Sequence, residues 1–139
     1  MSGDVFLDTN ILVYAIAGND TRTAQAAALL RQGGVISVQV LNEFADVARR
    51  KLRRSWPEIA EALASLRVLF PDPRPIGLAT HDAAVDIAAR NGFAFYDSLI
   101  VASALEAECA TLLSEDLQDG QVIDGRLTIR KPFGGCSAP

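Results

Sequence analysis

Four acidic residues, Asp8, Glu43, Asp97 and Asp116, stand where apolar patterns end or border polar ones, and they define the chemistry open to this chain. Asp8 closes the apolar run Val5-Phe6-Leu7, and apolar character resumes at Ile11. A run of this kind, followed by helix-compatible sequence, reads as a buried strand entering a helix, with Asp8 at the strand's carboxyl end. In open parallel α/β sheets, ligands bind at that edge. Asp116 follows a second apolar run, Ala110-Thr111-Leu112-Leu113-Ser114, although an acidic turn closed by Gly120 would also account for it. Asp97 opens a helix and shares a face with Ile100, Val101 and Ala104, a place that suits a cap as well as a site. Glu43 lies between Val40 and Val47 at the border of an apolar stripe, with no lysine or arginine at helical spacing. A buried carboxylate needs a compensating partner, so either Glu43 turns outward into solvent or a metal ion held jointly with the three aspartates supplies the positive charge. Carboxylates without cysteine or a useful histidine make an all-oxygen donor set, which suits hard cations and disfavours zinc.

The elements that must position these acids alternate short apolar runs with helical patterns, the signature of an α/β architecture with a mainly parallel sheet. After the first strand, a short helix through Tyr14 to Ala17 meets a turn at Gly18-Asn19. Asp20 then caps a helix over Thr21 to Arg31, with Ala24, Ala27, Ala28 and Leu30 apolar and Gly33-Gly34 at its end. Val35-Ile36-Ser37 reads as a second strand. Ser37 caps a long helix to about Arg54 whose buried stripe is Leu41, Phe44, Ala45, Ala48 and Leu52. Ser55-Trp56-Pro57-Glu58 combines a capping box with a first-turn proline and opens a helix to about Phe70. Pro71, Pro73 and Pro75 forbid helix, and a brief extended segment around Ile76 leads to a helix from about Thr80 to Arg90, ended by Asn91-Gly92. Downstream of the second acid-ended strand, Gln121-Val122-Ile123, a turn at Asp124-Gly125 and a last strand from Leu127 to Arg130 complete the pattern. One domain over residues 1–133 is expected, with a frayed tail over 134–139.

The 139 residues are 50% hydrophobic, enough for a substantial core, yet no apolar stretch approaches the ~20 residues of a membrane span. With an acidic Asp4 and no basic leader, the expectation is a cytoplasmic protein. Cys109 and Cys136 lack metal-type spacing and read as a small core residue and part of the tail. The one histidine, His81, has no nucleophile to pair with and is given no role. Seventeen acids against 13 bases exclude a protein that holds nucleic acid by bulk positive charge alone. Five of those bases, Arg49, Arg50, Lys51, Arg53 and Arg54, nevertheless form a local patch, which is either a phosphate contact for RNA or a solvated helix end.

In order and spacing, Val5-Phe6-Leu7-Asp8-Thr9-Asn10, Leu41-Asn42-Glu43-Phe44, Tyr96-Asp97-Ser98-Leu99-Ile100 with Ala102 and Ala104, and Leu112-Leu113-Ser114-Glu115-Asp116-Leu117-Gln118-Asp119-Gly120 resemble the PIN domains. Within that family they are most similar to the VapC-like toxin ribonucleases of virulence-associated toxin-antitoxin modules. The resemblance covers nearly the whole chain and departs at none of the four acids. It implies a three-layer α/β/α sandwich around a mainly parallel sheet of about four to five strands. It also implies an acidic pocket in which Asp8, Glu43, Asp97 and Asp116 hold one or two Mg²⁺ or Mn²⁺ ions. By similarity, Asp8 and Asp97 would be the main ligands, with Asp116 and Glu43 completing the shell directly or through water. Asn10, Ser114 and Asp119 would orient ligands or water, or are ordinary turn and cap residues. Mg²⁺ keeps several waters and shares its coordination with phosphate, so the natural substrate is a phosphodiester. The implied reaction is hydrolysis of RNA by metal-activated water attacking in line. The implied partners are RNA, a cognate antitoxin covering the acidic pocket, and a second copy of the chain in a homodimer. Apolar residues between Ser55 and Phe70 offer a contact surface or belong to the core.

Three rival readings share some of these residues. A phosphotransferase of the haloacid dehalogenase type also begins with a strand ending in aspartate and uses Mg²⁺, but its motif wants a second acid two residues on. Here that residue is Asn10, so Asp8 as a nucleophile would lack its general acid. A phosphorylatable receiver domain is weakened because Lys51 and Lys131, the only lysines, do not follow strands in the expected place. A catalytically silent PIN-like binding module is opposed by the intact acids.

Overall fold

The apolar triplet Val5–Leu7 forms β1, with Phe6 and Leu7 buried, in a computed structural model that describes residues 5–17 and 21–133. The expected turn at Gly18-Asn19, the cap at Asp20, Asp4, Cys136 and the 134–139 tail lie outside the described residues. The other strands are β2 (Thr111–Leu113), β3 (Val122–Ile123) and β4 (Leu127–Arg130), and the sheet order is β1-β2-β4-β3. β1 and β2 run parallel with Val5 opposite Thr111 and Leu7 opposite Leu113, and β2 runs parallel to β4. Only β3 is antiparallel, paired to β4 through a hairpin. Its turn residues Asp124 and Gly125 both have positive φ, 54° and 65°, the primed geometry whose twist matches that of the strands it joins.

Among the described residues, six helices cover this sheet in an α/β/α sandwich: α1 (Thr9–Ala17), α2 (Arg22–Gln32), α3 (Val38–Arg50), α4 (Trp56–Leu69), α5 (Leu78–Asn91) and α6 (Phe95–Glu106). α6 is the most enclosed, with every residue from Ser98 to Leu105 buried, which its unbroken run of small and apolar side chains allows. In the middle of the sandwich, Phe6, Leu112 and Ile129 of three neighbouring strands meet Ile11, Leu12, Phe44 and Ile100 from the helices, all without solvent exposure. No described helix is long and apolar enough to cross a membrane.

Two expectations about this frame are corrected. Val35-Ile36-Ser37 is not a ladder strand. Val35 exchanges hydrogen bonds with β1, Leu7 N–H to its carbonyl at 3.0 Å and its own N–H to Val5 at 2.8 Å. Ile36 and Ser37 instead face Arg74 on the other side, so each neighbour is met at a single bridge before the chain turns into α3. This tight passage depends on Gly34, at φ 141°, where a Cβ would sit 2.8 Å from the Val5 carbonyl oxygen. The long helix also ends at Arg50 rather than near Arg54. Arg53 takes a left-handed conformation at φ 57°, and Leu52 and Arg54 donate back to the Val47 and Ala48 carbonyls.

Elsewhere the local signals hold. Ser55 Oγ accepts the Glu58 N–H at 3.2 Å and Glu58 returns a 2.8 Å acceptor to the Ser55 N–H, the expected capping box. α5 starts slightly ahead of Thr80, whose hydroxyl accepts the Gly77 N–H and donates to Glu106 at 2.7 Å, tying α5 to the end of α6. Ser37 occupies the N-cap of α3, but its side chain makes no capping bond and its buried Oγ has no partner among the described residues. Cys109 is buried in the core as expected, and α4 divides its apolar residues, burying Ile59 and Leu66 while exposing Trp56, Val68 and Leu69.

Candidate active site

Because β1 and β2 are parallel and in register, their carboxyl ends deliver Asp8 and the Ser114–Asp116 segment to the same edge. Asp8 is buried at 4% exposure, immediately ahead of α1, where its Oδ1 accepts the Thr9 N–H at 2.7 Å and its Oδ2 accepts the Ser114 hydroxyl at 2.8 Å. Burial pushes the Asp8 carboxyl up to about 7; the Ser114 and Thr9 bonds oppose that rise, and the Glu43 and Asp116 charges add to it.

Glu43 reaches the same pocket from α3 and does not turn away into solvent. Its two oxygens accept the Thr9 hydroxyl at 2.8 Å and the Gln39 amide at 3.2 Å, so neutral donors satisfy it where no base stands at helical spacing. Asp116 is exposed, and its Oδ2 accepts the Asn10 amide at 3.1 Å while its backbone N–H donates to Ser114 Oγ at 3.2 Å. Asp97 is half-buried in the first turn of α6, inside the helix rather than at its cap. Burial, then the charges of Asp116 and Glu43, hold its carboxyl above the ordinary range, which ties it electrostatically to the same cluster.

A pocket of about 480 Å³ opens among these groups, lined by Asp8, Thr9, Asn10, Gln39, Asn42, Glu43, Asp46, Val47, Arg50, Tyr96 and Asp116. Two expected helpers, Asn10 and Ser114, are therefore in contact with acids of the site. Asp119 is not: its carboxylate accepts the Lys131 N–H at 2.9 Å and ties the loop after β2 to the end of β4. Of the basic cluster, Arg50 lines the pocket, held by two bonds of 2.9 and 2.7 Å to Asp46 one helical turn back. Arg49 instead lies over the Trp56 ring at 5.0 Å and donates to the Arg54 carbonyl, away from that lining.

Sequence reasoning missed several of these positions. Gln39 had a usable signal, an amide four residues before Glu43 on one helix face. Thr9, Asn42 and Tyr96 had none beyond proximity to an acid. A further brace is formed by Glu115, which accepts the Tyr14 hydroxyl at 3.0 Å and Arg22 at 3.1 Å, with the guanidinium 4.3 Å over the Tyr14 ring. These contacts anchor the residue next to Asp116.

The donor set fits a hard divalent cation in one specific way. Among the described residues, no three of the His, Cys, Asp or Glu side chains converge into a ready cage. Asp8, Glu43 and Asp116 line the pocket instead, each meeting a neutral donor, while Asp97 is not among the lining residues and joins them through its charge. Mg²⁺ is usually held by one or two carboxylates with waters and substrate phosphate making up the rest, so oxygen ligands spaced around an open pocket suit it better than a closed cage would.

Fold and site together define a class: an α/β domain with a carboxylate-lined pocket at the carboxyl ends of adjacent parallel strands. The PIN domain family model matches residues 5–118, and the chain belongs to the PIN domain family. Comparison with curated protein sequences gives no match. Among solved structures, the chain resembles a toxin-antitoxin complex from Klebsiella pneumoniae with TM-score 0.70 and 19% identity, covering 93% of this chain and 98% of that one. It also resembles VapC20 from Mycobacterium tuberculosis, described as a sarcin-ricin loop cleaving toxin, with TM-score 0.66 and 18% identity over 81% of this chain and 89% of that one. VapBC2 from Rickettsia felis, bound to a DNA fragment from its promoter, gives TM-score 0.63 and 21% identity over 91% and 97%. At these identities the likeness is one of fold.

Proposed function

We propose that this protein is a metal-dependent endoribonuclease that serves as the toxin of a toxin-antitoxin module. The observation that carries the reading is the gathering of Asp8, Glu43 and Asp116 around one pocket, with Asp97 electrostatically joined to them, in a chain of the PIN family. The solved structures it resembles support the biological half, since one is a toxin-antitoxin complex and another is described as a sarcin-ricin loop cleaving toxin.

In this reading Asp8 and Asp97 hold Mg²⁺ or Mn²⁺, and Asp116 and Glu43 complete the shell directly or through water. When bound, the ion supplies an activated water and offsets the charge that develops on the phosphodiester. The chain's own part is orientation. Ser114 and the Thr9 N–H fix both oxygens of Asp8, Asn10 steadies Asp116, and Thr9 with Gln39 steadies Glu43. Arg50, the member of the basic patch that lines the pocket, would meet an incoming phosphate, and Asp119 would act on the loop after β2 through its bond to the Lys131 N–H. A cognate antitoxin would silence the enzyme by covering this pocket, and the active form would be a homodimer.

The test is incubation of the purified protein with mixed RNA and Mg²⁺ or Mn²⁺, with EDTA and Asp8→Asn as controls. The variant should lose at least ~100-fold in rate. Cleavage that persists in the variant or in EDTA would end the assignment and leave a binding module as the better reading.

A further inference from the structure

The pocket wall carries one group that metal-dependent hydrolysis does not use. Tyr96 is a large aromatic side chain left 61% exposed, yet it lines the same pocket as Asp8, Glu43 and Asp116. Its hydroxyl has no hydrogen-bond partner among the described residues, so no polar tether explains why the ring stays out of the core. Its position is nonetheless fixed. It stands in the first turn of α6, next to Asp97, and is braced by an inclined contact with Phe95 at 5.6 Å and 65°. Phe95 packs on the hydrophobic core and meets the His81 ring at 5.5 Å, so the brace is anchored from beneath.

α3 supplies what such a ring lacks. Asn42 lines the pocket with an exposed amide that can donate and accept, the requirement for reading a base edge. Arg50 lines it with a guanidinium held by Asp46, a cation for the phosphate of the same nucleotide. A planar apolar platform, a bifunctional amide and a fixed cation around one cleft match a nucleotide whose base is unpaired, because a base inside a duplex offers neither face.

We propose that Tyr96 is the stacking platform for an unpaired base beside the scissile phosphodiester, with Asn42 facing the base edge, making it a specificity-determining residue of this enzyme. This deepens the ribonuclease reading and rests on it for the word scissile. The stacking itself is independent of catalysis. It selects looped or single-stranded RNA before any bond is cut.

The experiment measures binding by fluorescence anisotropy with the full-length protein in EDTA, which stops metal-dependent cleavage without altering the chain. The probes are a mixed-sequence single-stranded oligoribonucleotide, the same strand in a duplex, and the same strand with abasic riboses. Wild type should bind the single strand about tenfold more tightly than the duplex or the abasic strand, the scale of one aromatic-base stack. Tyr96→Ala should erase that preference, and Tyr96→Phe, which keeps the ring, should restore most of it. In the Mg²⁺ cleavage assay, Tyr96→Ala should raise KM more than it lowers kcat, the signature of lost ground-state binding. Equal affinity of wild type and Tyr96→Ala for the single strand overturns the proposal, and if wild type still cuts RNA the nuclease reading survives alone. Failure of wild type to bind any of the three probes also overturns it. So does a Tyr96→Ala protein that keeps its RNA affinity but loses a co-purifying protein partner, which would make the ring a protein contact. Ring-dependent binding with no cleavage under any metal would keep the stacking site and discard the nuclease.

Discussion

The Ser114 hydroxyl donates a 2.8 Å hydrogen bond to Asp8 Oδ2 across 106 positions of sequence. Ser114 Oγ in turn accepts the Asp116 N–H, so one fully buried serine serves two acids of the site. Ser114→Ala should cost about 1–3 kcal/mol in urea unfolding, because it strands a buried carboxylate oxygen and a backbone donor. It should also shift the acid limb of the cleavage profile to higher pH, since the Ser114 bond is the largest of the effects that hold the Asp8 carboxyl down. A variant with wild-type stability and an unmoved profile would contradict this role.

The Asp8 carboxyl, raised to about 7 from its ordinary 3.8, makes the metal-free fold sensitive to pH. Between those values the folded protein holds a proton that the unfolded chain releases, so the Asp8 contribution to stability is fully present below pH 3.8, is lost as pH rises to about 7, and is flat above. The raised carboxyl of Asp97 acts in the same direction. Asp8→Asn removes the largest part of this slope. Urea midpoints in EDTA should show the variant more stable than wild type at pH 7.5 by up to about 4 kcal/mol, with the gap closing toward pH 4. A variant less stable than wild type at pH 7.5 would give Asp8 a structural role instead.

Metal and proton should compete for Asp8. Added Mg²⁺ or Mn²⁺ should raise the melting temperature at pH 8, and EDTA should reverse the gain. Calorimetry in buffers of different ionisation enthalpy should record proton release on binding at pH 6.5 and much less at pH 8.5. Binding without proton release at pH 6.5 would mean that the ion is held without Asp8.

The acids were legible in the sequence because each stands at the end or border of an apolar pattern, and such borders survive folding. Their companions were not. For Glu43 the sequence leaves open a shared cation or an outward turn into solvent, and it does not reveal that Thr9, 34 residues away in sequence, meets it with a hydroxyl at 2.8 Å. Asp119 and Asp116 share one acidic loop, and composition does not reveal that the first turns to the Lys131 N–H while the second meets Asn10. The strand at Val35-Ile36-Ser37 failed for a related reason. Two β-branched apolar residues and a serine satisfy a short strand pattern, but here their hydrogen bonds are divided between two neighbours. The helix that opens with the Ser55–Glu58 box is legible almost to the residue because its capping chemistry is local.

Gly34 is a place where the frame of the site can be probed without touching an acid. Gly34→Ala forces a Cβ to 2.8 Å from the Val5 carbonyl at a backbone angle that alanine resists. Chemical denaturation should show a loss of about 2 kcal/mol or more. A loss below about 0.5 kcal/mol would mean that the passage beside β1 relaxes freely.

The pairing of β1 with β2 also dictates when the pocket can exist. A nascent chain made only as far as Glu106 already carries Asp8, Glu43 and Asp97, but β1 has no β2 partner and Asp8 has no Ser114. The contacts that complete the pocket are among the longest in the chain, and such contacts form late because their loop must close first. No finished pocket therefore stands on the ribosome until the residues after Thr111 have emerged, so the order of synthesis itself sets when the site first exists.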